Sequence, residues 1–350
     1  MQGGMTILDP VVRETEPTAI ENLGRYFVCD AVPTGVVAVG DTVFAGFGDG
    51  QIRIFRPDLP MQEVPAHRGA VLCIVRHGET VLTGGDDGRV LSFDLQGRVT
   101  ELAAHGPAWV DCVAAAKNGA WAASSGKIAH VRDAEGRAHA LDHPSTVGGM
   151  AFDRRGERLA VAHYGGVTVW TRGRRDWKAS SLKWAGSHGA VTWSPDNRFV
   201  VTSMQENALH GWRLRDKADM RMSGYPAKVK SLDWVGALPH LASSGAQDAI
   251  CWPFNGATGP MGQRPLLVCN DGDTLVTAVA ALPGHNALLA GFDNGVVLFS
   301  ELDPMADLRV IKRQSGAAIT HLAITPEAGW MLAAAEDGLI FWAPLGRTVG

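Results

Sequence analysis

No apolar run in the 350 residues approaches the roughly 18 residues a membrane-spanning helix needs, so no membrane partner is expected. Residues 1–21 are polar and partly acidic and do not read as a signal peptide. Cysteine is sparse: Cys29, Cys73, Cys112, Cys251 and Cys269 are odd in number and irregular in spacing. That pattern argues against a disulfide framework and for a reducing, cytoplasmic setting. Charged residues make up only 19% of the chain, and a net charge of −4 implies no general affinity for nucleic acid. No Gly-x-Ser-x-Gly nucleophile turn and no glycine-rich phosphate loop leading into a helix occurs. The expectation is a protein that is not an enzyme and needs no cofactor.

Glycine and proline, 42 and 18 residues, are spread along the chain instead of gathering in a linker, as many tight turns would require. The stretch 188–212 shows what they punctuate. Val191 and Trp193 alternate with small or polar residues, Ser194-Pro195-Asp196-Asn197 is a turn, and Phe199-Val200-Val201 is a second strand. After a turn at 204–207 a third strand closes on Trp212. Equivalent third-strand ends fall at Phe55, Phe93, Val131, Trp170, Trp212, Trp252, Phe299 and Trp342, at intervals of 38 to 47 residues. A Gly, Asp or Asn turn precedes each, as in Asp86-Asp87-Gly88 and Asp293-Asn294-Gly295, and supplies the positive φ of a tight hairpin. A weaker fourth strand lies between successive units, for example at 62–64 and 219–222.

A four-stranded unit of about 40 residues that closes on an aromatic residue after a Gly/Asp turn resembles the WD40 repeat. The resemblance runs from about residue 25 to 341, with degenerate motifs: the closing Trp-Asp pair is never intact, and Phe93-Asp94 comes nearest. His67 and His143 fit the family's histidine ahead of the innermost strand, His105 fits with one residue added, and Tyr225 takes that place in unit six. His188 sits four residues too late to be counted. The resemblance assigns repeat-structural roles to His67, His143, Asp49, Asp87, Asp248, Trp170, Trp212, Trp252 and Trp342. It implies an all-β fold, a single closed β-propeller, because a lone four-stranded sheet cannot bury both faces whereas a ring of them can. Eight units in sequence predict eight four-stranded blades; seven, the usual number in the family, is the alternative. The expected organisation is an N-terminal arm at residues 1–23 and one propeller over 24–347. Residues 24–29 are expected to supply the outer strand of the last blade, because the tail after Trp342 is a poor strand.

The resemblance implies a scaffold that binds another protein on one face of the ring. Positions that open the innermost strands offer Trp109, Asp111, Lys228 and Lys230 for that contact, an exposed tryptophan beside charges being the chemistry of an interaction hot spot. Residues 151–230 carry 15 Lys+Arg against 7 Asp+Glu, so the partner is expected to be acidic. The alternative is a metal- or small-ligand-binding propeller using the axial channel. Cys73, Cys112 and His321 fall at equivalent places in neighbouring units, and thiolates with imidazole suit zinc. Partner identity and oligomeric state are not legible.

Overall fold

The computed structural model describes residues 16–346 apart from 238 and 304. The arm therefore lies outside the described residues up to position 15, as do the tail residues 347–350. What is described is almost wholly β: one five-residue helix, Ala19–Leu23, precedes the strands. Unit one shows the general plan. Pro33–Val39, Thr42–Phe47, Gln51–Phe55 and Gln62–Pro65 pair antiparallel in chain order, from the ring axis outward.

The strands form seven hydrogen-bonded sheets, so the expectation of eight separate blades is corrected to the alternative of seven. Six sheets have four strands and one has six. All eight sequence units are nevertheless present, because units four and five share the six-stranded sheet. Two long strands join them. Arg158–Arg172 doubles back at Gly165 and Gly166, both at positive φ, so that Arg172 N–H donates to the Glu157 carbonyl (2.9 Å). Trp177–Trp193 then pairs with unit four through its first half and with Phe199–Met204 of unit five through its second. The fusion comes from a linker too short to break the strand: only 184–186 separates the two halves, whereas 223–231 separates units five and six.

Closure is covalent at neither end. Arg25–Val28 pairs antiparallel with Leu339–Pro344, in register from Arg25 opposite Trp342 to Val28 opposite Leu339. The N-terminus thus provides the outermost strand of the last sheet. The short helix clips this strand to the preceding blade. Thr18 caps the helix through Glu21 N–H (3.0 Å) and donates its hydroxyl to the Ile311 carbonyl (2.7 Å), while Glu21 pairs with Arg313 (2.8 Å).

The second strand of each unit is buried on both faces, as in Thr42–Phe47, Phe199–Met204 and Ala287–Phe292. Small residues there admit the next unit. A Cβ on Gly46 would lie 2.7 Å from Val71, one on Gly84 2.4 Å from Val110, and one on Gly291 2.5 Å from Ile319. The glycines and alanines that make these strands look weak in sequence are what lets blade pack on blade. The middle turns use glycine differently. Gly88 has φ +76°, and a Cβ would sit 2.0 Å from the Gly106 carbonyl oxygen of the next linker. Gly88→Ala is therefore expected to cost roughly 2–3 kcal/mol, from left-handed strain plus a clash with rigid backbone. Urea unfolding would measure it, and an unchanged midpoint would refute the packing.

Candidate interaction faces

Backbone hydrogen bonds define two faces. Incoming linkers are tied to the middle turn of their own unit, as in Gly48 N–H to Val32 O, Asp86 N–H to Ala70 O, Gln205 N–H to Ser187 O and Asp293 N–H to Leu275 O, at 2.9–3.2 Å. These loops make the linker face. The first and third turns are tied likewise, Leu214 N–H to Arg198 O and Phe254 N–H to Pro239 O at 2.9 Å, and make the opposite, turn face.

Trp109, Asp111, Lys228 and Lys230 all belong to linkers and are exposed, Trp109 by 59% of its surface. The structure does not gather them into one patch. Trp109 and Asp111 lead into unit three, whereas Lys228, which donates to Gln205 (2.8 Å), and Lys230 lead into unit six, three places around the ring. Partial burial raises the Asp111 pKa. The next unit on this face carries an exposed aromatic residue that the sequence reading passed over. Tyr164, 66% exposed, tips the middle turn of adjacent unit four on the same face, its N–H held by Ser145 Oγ (2.9 Å). An aromatic residue immediately before two glycines is the signal that could have found it.

The repeat-structural residues form incomplete buried networks. In unit two, His67 bonds Asp87 (2.8 Å) and Thr83 (2.9 Å), and Phe93 fills the remaining place without a hydrogen bond. This Asp–His–Thr arrangement has the order of a catalytic relay, but the His67 side chain is fully buried and no substrate reaches it. In unit four, Trp170 Nε1 donates to His143 (2.9 Å). In unit six, Tyr225 does the work of the histidine, joining Ser243 (2.7 Å) and receiving the Trp252 indole N–H (2.6 Å). Asp248 stays outside that network and accepts instead from Asn270 (3.1 Å). Asp49 holds Arg53 (2.9 Å), and Trp342 stacks on Trp330 at 4.8 Å.

His188 requires a correction. Although late by four residues, it bonds Thr202 (2.8 Å), the position equivalent to Thr83, from the innermost strand itself. The place the family's histidine would hold is taken by Trp184, which stacks on buried His210 at 4.1 Å, with Trp212 edge-on to His210 at 4.8 Å. Periodicity alone could not show that one residue reaches a shared hydroxyl from another backbone position.

Around the axis, the innermost strands of units one, six, seven and eight enclose a funnel of about 720 Å³, opening among their first turns. Its wall is largely apolar, with Val36, Trp234, Leu282, Leu322 and Ile324, and also carries Asp233 and His285. Asp233 accepts the N–H of Trp234 and of Ala281 in the neighbouring unit, both at 2.8 Å, and burial raises its pKa. The three zinc candidates form no ligand set. Among the described residues no group of three or more His, Cys, Asp or Glu could hold a metal ion. Cys73 donates to the Val110 carbonyl (3.4 Å), Cys112 has its thiol pushed up to about 11 by burial, and His321 bonds Thr320 (3.0 Å). Cys73 and Cys112 lie close enough to interact, but no third ligand joins them among the described residues.

The basic excess of 151–230 is also relocated. Ten of its cations, Arg154 to Lys217, fall in the segments 153–158, 172–177, 194–198 and 213–218, which are the turns of units four and five on the turn face. Few of the flank's cations, Lys228 and Lys230 among them, share the face of Trp109, so most of the basic flank does not assist a contact made there.

With this geometry in place, residues 59–94 match the WD domain, G-beta repeat (WD40), family model. The match covers unit two, whose His67–Thr83–Asp87 network is the fullest. The crystal structure of the computationally designed Ika8 protein resembles this chain with a TM-score of 0.71 at 18% identity, over 91% of this chain and 98% of that one. At that identity the likeness is one of fold. The chain is a β-propeller that carries a WD40-type repeat at residues 59–94, an architecture typically used for protein–protein interaction scaffolds.

Proposed function

We propose that this WD40-type β-propeller is a non-catalytic, cytoplasmic scaffold that binds another protein through its linker face, with Trp109 as the anchor. The observation that carries the reading is the pair of exposed aromatics, Trp109 and Tyr164, on adjacent units of one face. Large amphipathic rings bring apolar area at low entropy cost and dominate interface energies. Asp111, Lys228 and Lys230 supply rim charges that steer encounter more than they add affinity. The histidines and carboxylates within hydrogen-bond reach of one another serve as struts, as at His67–Asp87, which favours a role without catalysis. Five free cysteines, three of them buried, suit a reducing compartment.

Affinity capture from the native cell, quantified by mass spectrometry and repeated with the purified partner, tests the reading. Replacing Trp109 and Tyr164 together by alanine is expected to weaken binding by about 30-fold or more, the effect of losing a hot spot of ~2 kcal/mol. Equal binding by the double variant would remove the face assignment. The axial funnel lined by Asp233, Trp234 and His285 supports a second reading, a small ligand on the axis, which calorimetry with Asp233→Asn would test.

A further inference from the structure

We propose that the turn face carries a second docking site, an arginine-walled recess that takes an acidic segment of a partner protein. The recess, about 380 Å³, lies where units four, five and six meet and is lined by Arg158, Asn197, Arg198, Arg213, Leu214, Arg215 and Ala257. It is independent of the linker face and of Trp109.

Three observations converge on an anionic occupant. The first is charge. The four turn segments around it hold ten Lys+Arg against five Asp+Glu, a local balance of +5 on a chain whose total is −4. The second is preorganisation. Arg213 is gripped by both oxygens of Asp216 (3.0 and 2.8 Å) and donates to the Ala257 carbonyl (3.0 Å). Arg158 is held by Asp153 (2.9 Å) and lies over the Trp193 ring at 4.6 Å. These guanidinium groups are fixed in place before any ligand arrives, so little side-chain entropy is lost on binding. The third is spare donor capacity. A guanidinium has five N–H donors. Arg198, its side chain 45% exposed, gives Nε to Asp196, and Arg215, 68% exposed, approaches Asp216 only at 3.6 Å, beyond hydrogen-bond reach. Carboxylates match that fork geometry in pairs.

The surroundings favour a short acidic peptide over nucleic acid. Leu214 and Ala257 give the recess an apolar component that suits a side chain. Outside residues 151–230 the chain carries 17 Lys+Arg against 29 Asp+Glu, and a phosphate backbone running on across the ring would meet that excess of like charge.

Fluorescence anisotropy with a labelled, end-capped octamer of glutamate tests the site on the full chain. The expected result is saturable binding that falls steeply with salt and weakens at least tenfold in Arg198→Glu/Arg215→Glu. Lys178→Glu, on the outer strand of unit four, should bind as the parent does. Both altered arginines are surface-exposed, and unchanged melting of the double variant separates lost binding from lost fold. If the double variant misfolds, Arg215→Gln alone, at the most exposed position, is expected to weaken binding at least threefold. No binding by the parent chain, or equal binding by the folded variant, overturns the proposal. Tighter binding of a length-matched oligodeoxythymidylate overturns the assignment to an acidic protein segment.

Discussion

Removing residues 1–28 is expected to lower the melting temperature by at least about 10 °C and to leave a single, cooperative transition. The loss has identifiable parts. Arg25–Val28 leaves the outer edge of the last sheet bare, with its ladder to Leu339–Pro344 unmade. Buried Ile20 leaves the core it shares with Phe341 and Leu345. Tyr26 leaves the Phe341 ring at 4.8 Å, and Phe27 leaves Phe55 at 5.4 Å, a contact between the last blade and the first. Arg313 loses Glu21, whose side chain is 6% exposed and whose pKa is held down, despite burial, by bonds from Thr18, Tyr26 and Arg313. Together these are on the order of 5 kcal/mol, at roughly 2 °C of melting temperature per kcal/mol for a chain of this size. The effect reaches the whole ring because each blade is covered by its neighbours. A bare last blade also uncovers the first. Scanning calorimetry of the truncated chain gives the answer, and adding a peptide of residues 16–28 is expected to restore part of the stability. Unchanged melting on truncation would mean that the ring closes without its N-terminal strand.

Acidification from pH 7.5 to 4.5 is expected to cost several kcal/mol through buried imidazoles. His210 is fully buried between Trp184 and Trp212, with neither ring nitrogen hydrogen-bonded. Burial lowers its pKa to about 4, outweighing Asp219 at 3.5 Å, and burial lowers His321 to about 4 as well. His105, His130, His143 and His188 shift in the same direction, burial being the first cause in each. At His210 and His321 the unfolded chain binds a proton near pH 6.5 and the folded chain does so only near 4. Stability is therefore complete above about pH 6.5 and drains away as pH falls from there toward 4, by on the order of 3 kcal/mol for each of His210 and His321. Carboxylates act in a separate, lower window. Asp133 is pulled to about 2 because bonds from Arg137 and His139 outweigh its burial, so its contribution is lost only below about pH 4. Urea unfolding across this range should show the slope. His210→Leu, which keeps the volume and removes the proton site, should flatten it. An equally steep slope in that variant would clear His210 of the effect.

The strand ends and turns were readable because they depend on local chemistry. Phe55, Trp212 and Trp342 each close a third strand, and Asp87-Gly88 and Asn294-Gly295 each make the turn before one. Side-chain partners were read less well. Tyr225 was correctly placed in the histidine's position, but His188 was set aside on spacing although it reaches Thr202 from another strand position. The zinc candidates show a related limit: equivalent places bring Cys73 and Cys112 near each other, but no third ligand joins them among the described residues.

Repetition of one β unit, its turn chemistry and its lack of any self-sufficient core were determined by the amino-acid sequence, and with them a closed β ring. The tertiary structure alone decided how the units divide into sheets, since hydrogen bonding continues from unit four into unit five wherever the linker is too short to interrupt it. It alone decided which face each charge occupies as well. Residues adjacent in sequence cross from one side of the ring to the other with every strand, so most cations of a basic stretch of 80 residues fall in a turn-face arc, while Lys228 and Lys230 share Trp109's face.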